Sequence, residues 1–191
     1  MSLRIGITGA GGRMGRTLVQ ALDQAGDHMR LAAALERPGS SLIGADAGEL
    51  GGTGANGVVL GSDVAAALEA VDVLVDFSSV PGTLANVAAC RARGKALVIG
   101  TTGFSAGELA EIDAASAAIP ICRASNFSTG VNLCFRLVAE AARVLGDEVD
   151  VEVVEAHHRH KVDAPSGTAL SLGQEAAAAL GRELREAAVY H

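Results

Sequence analysis

The opening of the chain constrains the fold more than any other stretch. Leu3–Thr8 reads as a short buried strand. It runs directly into Gly9-Ala10-Gly11-Gly12-Arg13-Met14-Gly15, and a helical pattern follows over residues 16–25. A chain that passes from strand to helix in this way needs positions without a Cβ, to turn tightly and to let a ligand approach the backbone. The N–H groups at the helix start then face a site suited to a pyrophosphate. The spacing is G-x-x-G-x-x-G, overlapping G-x-G at Gly9 and Gly11, and Met14 breaks the strict G-x-G-x-x-G form. A glycine turn can also serve only to pack a helix on a sheet. Here the strand before it, the helix after it and an acidic residue ending the next strand favour dinucleotide binding.

That next strand is Met29–Leu35, ending at Glu36-Arg37. The Glu36 carboxylate can accept hydrogen bonds from an adenosine ribose, whereas Arg37, helped by Arg13, can meet a 2′-phosphate. The pair therefore admits NADH or NADPH; the plainer alternative is a solvated Glu–Arg pair. Strands and helices then alternate. The expected strands are 58–60, 71–77, 96–99 and 119–124. The expected helices are 62–70 behind Ser62-Asp63, 81–93 entered by Pro81 and stopped by Gly94, and 105–117 with Glu108 at capping-box spacing from Ser105. Residues 38–57 read as a glycine-rich surface excursion with a helical turn near Ile43. This rhythm predicts an α/β fold with a doubly wound parallel sheet.

The texture changes near residue 128. A helix over 130–145 is expected to bury Leu133, Leu137, Val138 and Val144. Residues 149–156 alternate as a half-buried strand should, and a helix over 168–180 follows. The expected division is a dinucleotide-binding domain over 1–128 and a second α+β domain over 129–191. The second domain would hold substrate through a mixed or antiparallel sheet that is incomplete here.

Composition narrows the partners. Lys and Arg number 15 against 22 Asp and Glu, for a net charge of -7, and aromatic residues are only 3% of the chain. The core must therefore come from Ala, Val, Leu and Ile, and an acidic chain without aromatic platforms is a poor nucleic-acid binder. The sequence holds no apolar run long enough for a membrane helix. Cys90, Cys122 and Cys134 are odd in number with no close pair, which suits small buried apolar residues in a reducing, cytoplasmic setting.

Three segments fall at the carboxyl ends of expected strands, where open α/β sheets bind ligands: Asp76-Phe77-Ser78, Gly100-Thr101-Thr102 and Ala124-Ser125-Asn126-Phe127. Together they are expected to line a nicotinamide pocket. A second concentration of chemistry is His157-His158-Arg159-His160-Lys161, a basic block in an acidic chain, suited to an anionic substrate. Histidine can transfer a proton near neutral pH, and Lys161 can supply charge or a proton. Ser166-Gly167-Thr168 follows Pro165 at a helix start and suits a carboxylate. A metal site is disfavoured, because neighbouring histidines would point to opposite faces of a strand and no cysteine lies nearby. A solvated basic loop is the remaining alternative.

The stretch Glu155-Ala156-His157-His158-Arg159-His160-Lys161-Val162-Asp163-Ala164-Pro165-Ser166-Gly167-Thr168-Ala169 closely resembles the signature of the dihydrodipicolinate (4-hydroxy-tetrahydrodipicolinate) reductase family of lysine and diaminopimelate synthesis. The Gly9–Gly15 turn, Gly100-Thr101-Thr102-Gly103 and Ser125-Asn126-Phe127-Ser128 match that family in order and place. The resemblance implies an NAD(P)H-dependent oxidoreductase. It would reduce a cyclic dicarboxylate, 4-hydroxy-tetrahydrodipicolinate, with loss of water, and work as a cytoplasmic homotetramer. It implies catalytic roles for His157 and Lys161, and substrate contacts from His158, Ser166, Gly167 and Thr168. It assigns cofactor contacts to Gly9, Ala10, Gly11, Gly12, Arg13, Met14, Glu36, Arg37, Gly100, Thr101, Thr102, Ala124, Ser125, Asn126 and Phe127. Family members continue past the position matching His191. The alternatives are another Rossmann-type dehydrogenase, such as one acting on aspartate or homoserine, and a non-catalytic NAD(P)-sensing protein. The first explains the glycine turn but not the histidine block, and the second needs no proton donors.

Overall fold

The computed structural model describes residues 2–157, 159, 161 and 164–190. The chain divides into two compact units, Met1–Arg123 and Ala124–His191. This division places Ala124–Phe127 with the second unit.

The first unit is a six-stranded sheet, every neighbouring pair parallel. In chain order its elements are β1 (Leu3–Thr8), α1 (Arg13–Gln24), β2 (Met29–Leu35), α2 (Ala47–Gly51), β3 (Leu60–Gly61), α3 (Val64–Ala70), β4 (Val73–Asp76), α4 (Val80–Arg93), β5 (Ala96–Ile99), α5 (Ala106–Ser116) and β6 (Ile121–Arg123). The strand order is β3-β2-β1-β4-β5-β6. The chain builds outward from β1 in one direction, then returns to lay β4 on the other side of β1. That reversal opens a crevice at the carboxyl ends of β1 and β4, the place where doubly wound sheets take ligands.

Period-two alternation sends each strand's side chains to both faces. Ile5 and Ile7 of β1 join Val19, Ala34, Ala47 and Leu60 in one core, covered by α1 and α2. Leu74, Leu97 and Ile99 join Leu68, Val87, Cys90 and Ile112 in the other, under α3, α4 and α5. At Gly6 this second face packs closely on β1: a Cβ there would stand 3.0 Å from both Leu74 and Val71. Both cores are aliphatic, as the scarcity of aromatics requires.

Helix starts follow the capping residues. Asp63 accepts from Ala66 N–H at 3.0 Å, and Ser105 with Glu108 forms the expected reciprocal box. Pro81 sits in the first turn of α4, and Gly94 ends it in the left-handed region at φ 62°. The excursion at 38–57 differs from expectation. Its helical turn is α2, and Ile43 lies outside it. The cause is Asp46, whose carboxylate gathers the N–H groups of Gly48, Glu49, Asn56 and Gly57 at 2.8–3.1 Å. The N–H of Asn56 first, then those of Glu49, Gly57 and Gly48, hold its pKa below the ordinary value.

The second unit contains α6 (Thr129–Leu145), α7 (Gly167–Ala179) and α8 (Leu184–Ala187). α6 and α7 pack on each other, burying Ala142, Ala176 and Ala177. Two expectations fail here. The strand over 149–156 forms no ladder among the described residues, so the second sheet is not seen. A strand needs a partner for its backbone groups, and these residues pair with none. Leu133, Leu137 and Val144 are exposed, Val144 at 74%, because nothing among the described residues of the unit covers that face of α6. Of the three cysteines only Cys90 is buried; Cys122 and Cys134 are exposed. Burial pushes the Cys90 thiol up to about 11. Among the described residues, no helix is long and apolar enough to cross a membrane.

Candidate functional site

The crevice is built backbone against backbone. Register aligns Thr8 with Asp76 and Asp76 with Ile99, so the segments after β1, β4 and β5 emerge side by side. Gly9 is left-handed at φ +72°, and a Cβ there would stand 2.3 Å from the Phe77 carbonyl oxygen. Gly15, in the first turn of α1, lies directly on the turn: its Cβ would stand 2.2 Å from Gly9 O and 2.5 Å from Ala10 Cα. Gly12 is the N-cap of α1, and no side chain caps that helix. Every other α-helix of the first unit has an Asp or Ser cap. The first-turn N–H groups of α1 therefore lack both intrahelical and side-chain acceptors, which suits an anionic ligand group. Arg13 and Met14 are exposed at this turn.

Glu36 lies against the same turn. One oxygen accepts Gly11 N–H at 2.9 Å and the other accepts Arg37 N–H at 3.3 Å. Arg16 Nε donates to Gly11 O at 2.9 Å. The acidic residue expected at the ribose is thus held by the glycine turn itself. At the third segment the Phe77 ring lies over Gly100, whose Cβ would stand 2.1 Å from ring carbons. Thr101 is half-buried and Thr102 exposed.

The other concentration of polar groups is in the second unit. Ser166 is the N-cap of α7, its hydroxyl oxygen accepting Ala169 N–H at 3.0 Å. Its own N–H donates to Glu155 Oε1 at 2.8 Å, while Glu155 Oε2 stands 2.7 Å from His157 Nε2. Hydrogen bonding from the Ser166 side chain, then from the His157 imidazole and the Ser166 N–H, holds Glu155 down at about 2. A carboxylate of the chain therefore sits at the start of α7, bridging His157 to Ser166. Gly167 and Thr168 form the first turn there. Asn126 Nδ2 donates to Thr168 Oγ1 at 3.4 Å, and Ser125 and Ser171 hydroxyls are 3.0 Å apart. Asn126 Oδ1 accepts Ser128 N–H at 2.8 Å, and Phe127 is 45% exposed. Ala124 is half-buried.

The structure thus brings Gly9–Met14, Glu36, Arg37 and Gly100–Thr102 to one sheet edge. It gathers His157, Ser166, Gly167, Thr168, Ser125 and Asn126 in the second unit. Lys161 is half-buried. The expectation for His158 lies outside the described residues. Among the described residues no three metal-ligating side chains cluster. Two further residues join these groups: Glu155, hidden in an alternating run, which bridges His157 to Ser166, and Asn86, inside α4, whose Nδ2 donates to Asp76 Oδ2 at 3.0 Å. Asp76 is expected, with Phe77 and Ser78, among the residues lining the nicotinamide pocket; the structure adds that it is fully buried.

Comparison with known proteins agrees along the whole chain. The family model for dihydrodipicolinate reductase, N-terminus, matches residues 3–127, and that for dihydrodipicolinate reductase, C-terminus, matches residues 130–189. A 4-hydroxy-tetrahydrodipicolinate reductase of Alkalilimnicola ehrlichii is 57% identical over 190 residues, covering 100% of this chain and 71% of the relative. One from Saccharophagus degradans is 54% identical, covering 100% of this chain and 70% of the relative. Among solved structures, a dipicolinate-bound dihydrodipicolinate reductase from Paenisporosarcina sp. TG-14 aligns with TM-score 0.74 at 26% identity, covering 94% of this chain and 67% of that one.

Proposed function

The chain belongs to the dihydrodipicolinate reductase family, and from that premise we propose that it reduces 4-hydroxy-tetrahydrodipicolinate, a cyclic dicarboxylate, at the expense of NADH or NADPH. The observation that carries the reading is the uncapped start of α1 closed backbone to backbone on the glycine turn. The relatives, both 4-hydroxy-tetrahydrodipicolinate reductases, supply the substrate.

The residues present fit a dinucleotide: no side chain caps the start of α1, which leaves its first-turn N–H groups for an anionic group. Arg13 and Met14 would hold its phosphates through their N–H groups and the Arg13 charge, with Gly9, Ala10, Gly11 and Gly12 forming the turn that lies against it. Glu36 and Arg37 would meet the adenosine ribose. Gly100, Thr101 and Thr102, with Ala124, Ser125, Asn126 and Phe127, would meet the nicotinamide half. When bound, the dihydronicotinamide supplies a hydride. Everything else falls to the chain. Gly167 and Thr168 N–H groups at the start of α7 hold a substrate carboxylate, with Ser166 capping that turn. His157, held by Glu155, handles a proton at its imidazole. Lys161 supplies an ammonium for proton delivery or carboxylate binding, and His158 contacts substrate. The reading includes a dinucleotide-binding domain over 1–128, a substrate-binding and oligomerisation domain over 129–191, and a cytoplasmic homotetramer. The exposed apolar face of α6 supports assembly.

The test is NADH oxidation followed with and without the dicarboxylate. Oxidation that depends on it supports the reading, and oxidation indifferent to it refutes it. Replacing His157 by Gln or Lys161 by Ala should lower turnover by about a hundredfold or more while NADH affinity stays near normal. Unchanged turnover in both variants defeats the assignment.

A further inference from the structure

Asp76 is a fully buried carboxylate with no solvent contact, standing at the carboxyl end of β4 beside the crevice. Its partners are hydroxyl, amide and backbone donors. Oδ1 accepts Ser78 N–H at 2.9 Å, Ser78 O–H at 2.6 Å and Thr101 O–H at 3.4 Å. Oδ2 accepts Asn86 Nδ2–H at 3.0 Å, and the same amide reaches Thr8 Oγ1 at 3.4 Å. Ser78 N–H also points at Thr101 Oγ1, 3.1 Å away. One buried group therefore gathers the end of β1, the segment after β4, the segment after β5 and a residue of α4.

We propose that Asp76 is a positioning residue for the dihydronicotinamide end of the cofactor, acting through Ser78 and Thr101 rather than by contact. A buried carboxylate is costly unless donors satisfy it, and bonds to a charged acceptor are roughly twice as strong as neutral ones. Withdrawal of any one donor leaves charge unmet, so the arrangement resists displacement. Two of the gathered residues lie at the sheet edge rather than in the core, Ser78 exposed and Thr101 half-buried. Backbone bonds continue the lock: Gly100 N–H donates to Asp76 O at 2.8 Å and Phe77 N–H to Thr8 O at 3.3 Å. The Phe77 ring is thereby held over Gly100. Among the described residues no hydrogen bond joins Glu36, at the adenosine end, to this network, and the glycine turn meets it only where Gly9 packs on the Phe77 carbonyl. The device sorts the two halves of the cofactor.

The inference rests on the reading that this edge receives the nicotinamide, and the experiment separates the two. Wild type, Asp76→Asn, Asp76→Ala and Thr102→Trp are each titrated with NADH and with ADP-ribose, which lacks the nicotinamide. Folding is checked by circular dichroism. Asp76→Ala should weaken NADH by more than about tenfold, the loss expected for a charged hydrogen-bond acceptor, and leave ADP-ribose within about twofold. Asp76→Asn keeps the volume, and rotation of the Asn86 amide restores a donor–acceptor pair. It should therefore weaken NADH by only about three- to tenfold, and it carries the test if the Ala variant does not fold. Equal losses for both ligands, or no loss in the Asn variant, overturn the proposal. Thr102→Trp, which crowds the exposed edge, should weaken NADH selectively. If it does not, the placement of the nicotinamide fails; if it does while the Asp76 variants stay at wild-type affinity, only the role of Asp76 fails.

Discussion

Replacing Gly15 by Ala tests the backbone closure on which the crevice depends. In an exposed helix the substitution should stabilise, because Ala exceeds Gly in helix propensity by about 1 kcal/mol. Gly15 is buried, and its added Cβ would stand 2.2 Å from Gly9 O, where ordinary van der Waals contact begins at 3.4 Å. The second obstacle, Ala10 Cα at 2.5 Å, is also backbone, so no rotamer change relieves it. α1 must retreat from the turn by roughly 1 Å, an overpacking that costs about 1–3 kcal/mol. Against the propensity gain, the expected result is a net loss of about 0–2 kcal/mol. Gly107 in α5 is the control: nothing lies within 4 Å of its Cβ, and its φ is not positive, so Gly107→Ala should be neutral or stabilise by less than about 1 kcal/mol. Urea unfolding of both variants measures the difference. NADH titration should show Gly15→Ala weakened by about tenfold or more, since the N–H groups of α1 shift with the helix. Gly15→Ala as stable as Gly107→Ala, with wild-type NADH affinity, would refute the closure.

Acid should loosen the first unit through Asp72. The side chain and backbone N–H of Arg4 hold Asp72 at about 2, below the usual 3.8, with contacts of 2.6 and 2.9 Å. Because the folded value is depressed, the stabilisation is present above pH 3.8 and is lost as pH falls toward about 2. Urea midpoints should drop across that window, and Asp72→Asn should flatten the drop; an unchanged profile in the variant contradicts the pairing. Asp46→Ala should free the amides of Gly48, Glu49, Asn56 and Gly57, which hydrogen exchange would detect as faster exchange at those four positions. Uniform protection there would count against Asp46 as organiser of the excursion. Glu36→Ala should weaken NADH more than NADPH, and equal weakening by calorimetry argues against a ribose contact.

What the sequence disclosed follows how local each cause is. β2 and β5 were legible because an apolar run bounded by polar residues or glycine needs no distant information. Ser105 with Glu108 and Gly94 marked helix ends for the same reason, since capping involves residues within one turn. The excursion resisted because Asp46 reaches ten and eleven positions onward to Asn56 and Gly57. No periodicity records such a reach. The Ile43 reading failed there, although Asp46 occupies a position any N-cap could hold.

The second unit shows the opposite limit, where a correct local pattern does not make an element. Residues 149–156 alternate as a strand should, yet a strand is a relation between two segments and no partner pairs with these among the described residues. The apolar stripe of α6 is likewise periodic and likewise uncovered, with Leu133 and Leu137 more than half exposed. The relatives are longer than this chain, which spans 71% and 70% of two of them. The Glu155 contacts do not wait for a partner, because they join residues 155, 157 and 166 within one stretch of chain. Contacts made within a short segment can persist where the sheet does not form. That is why the grouping of His157 with the start of α7 is present in a unit whose apolar surfaces remain open.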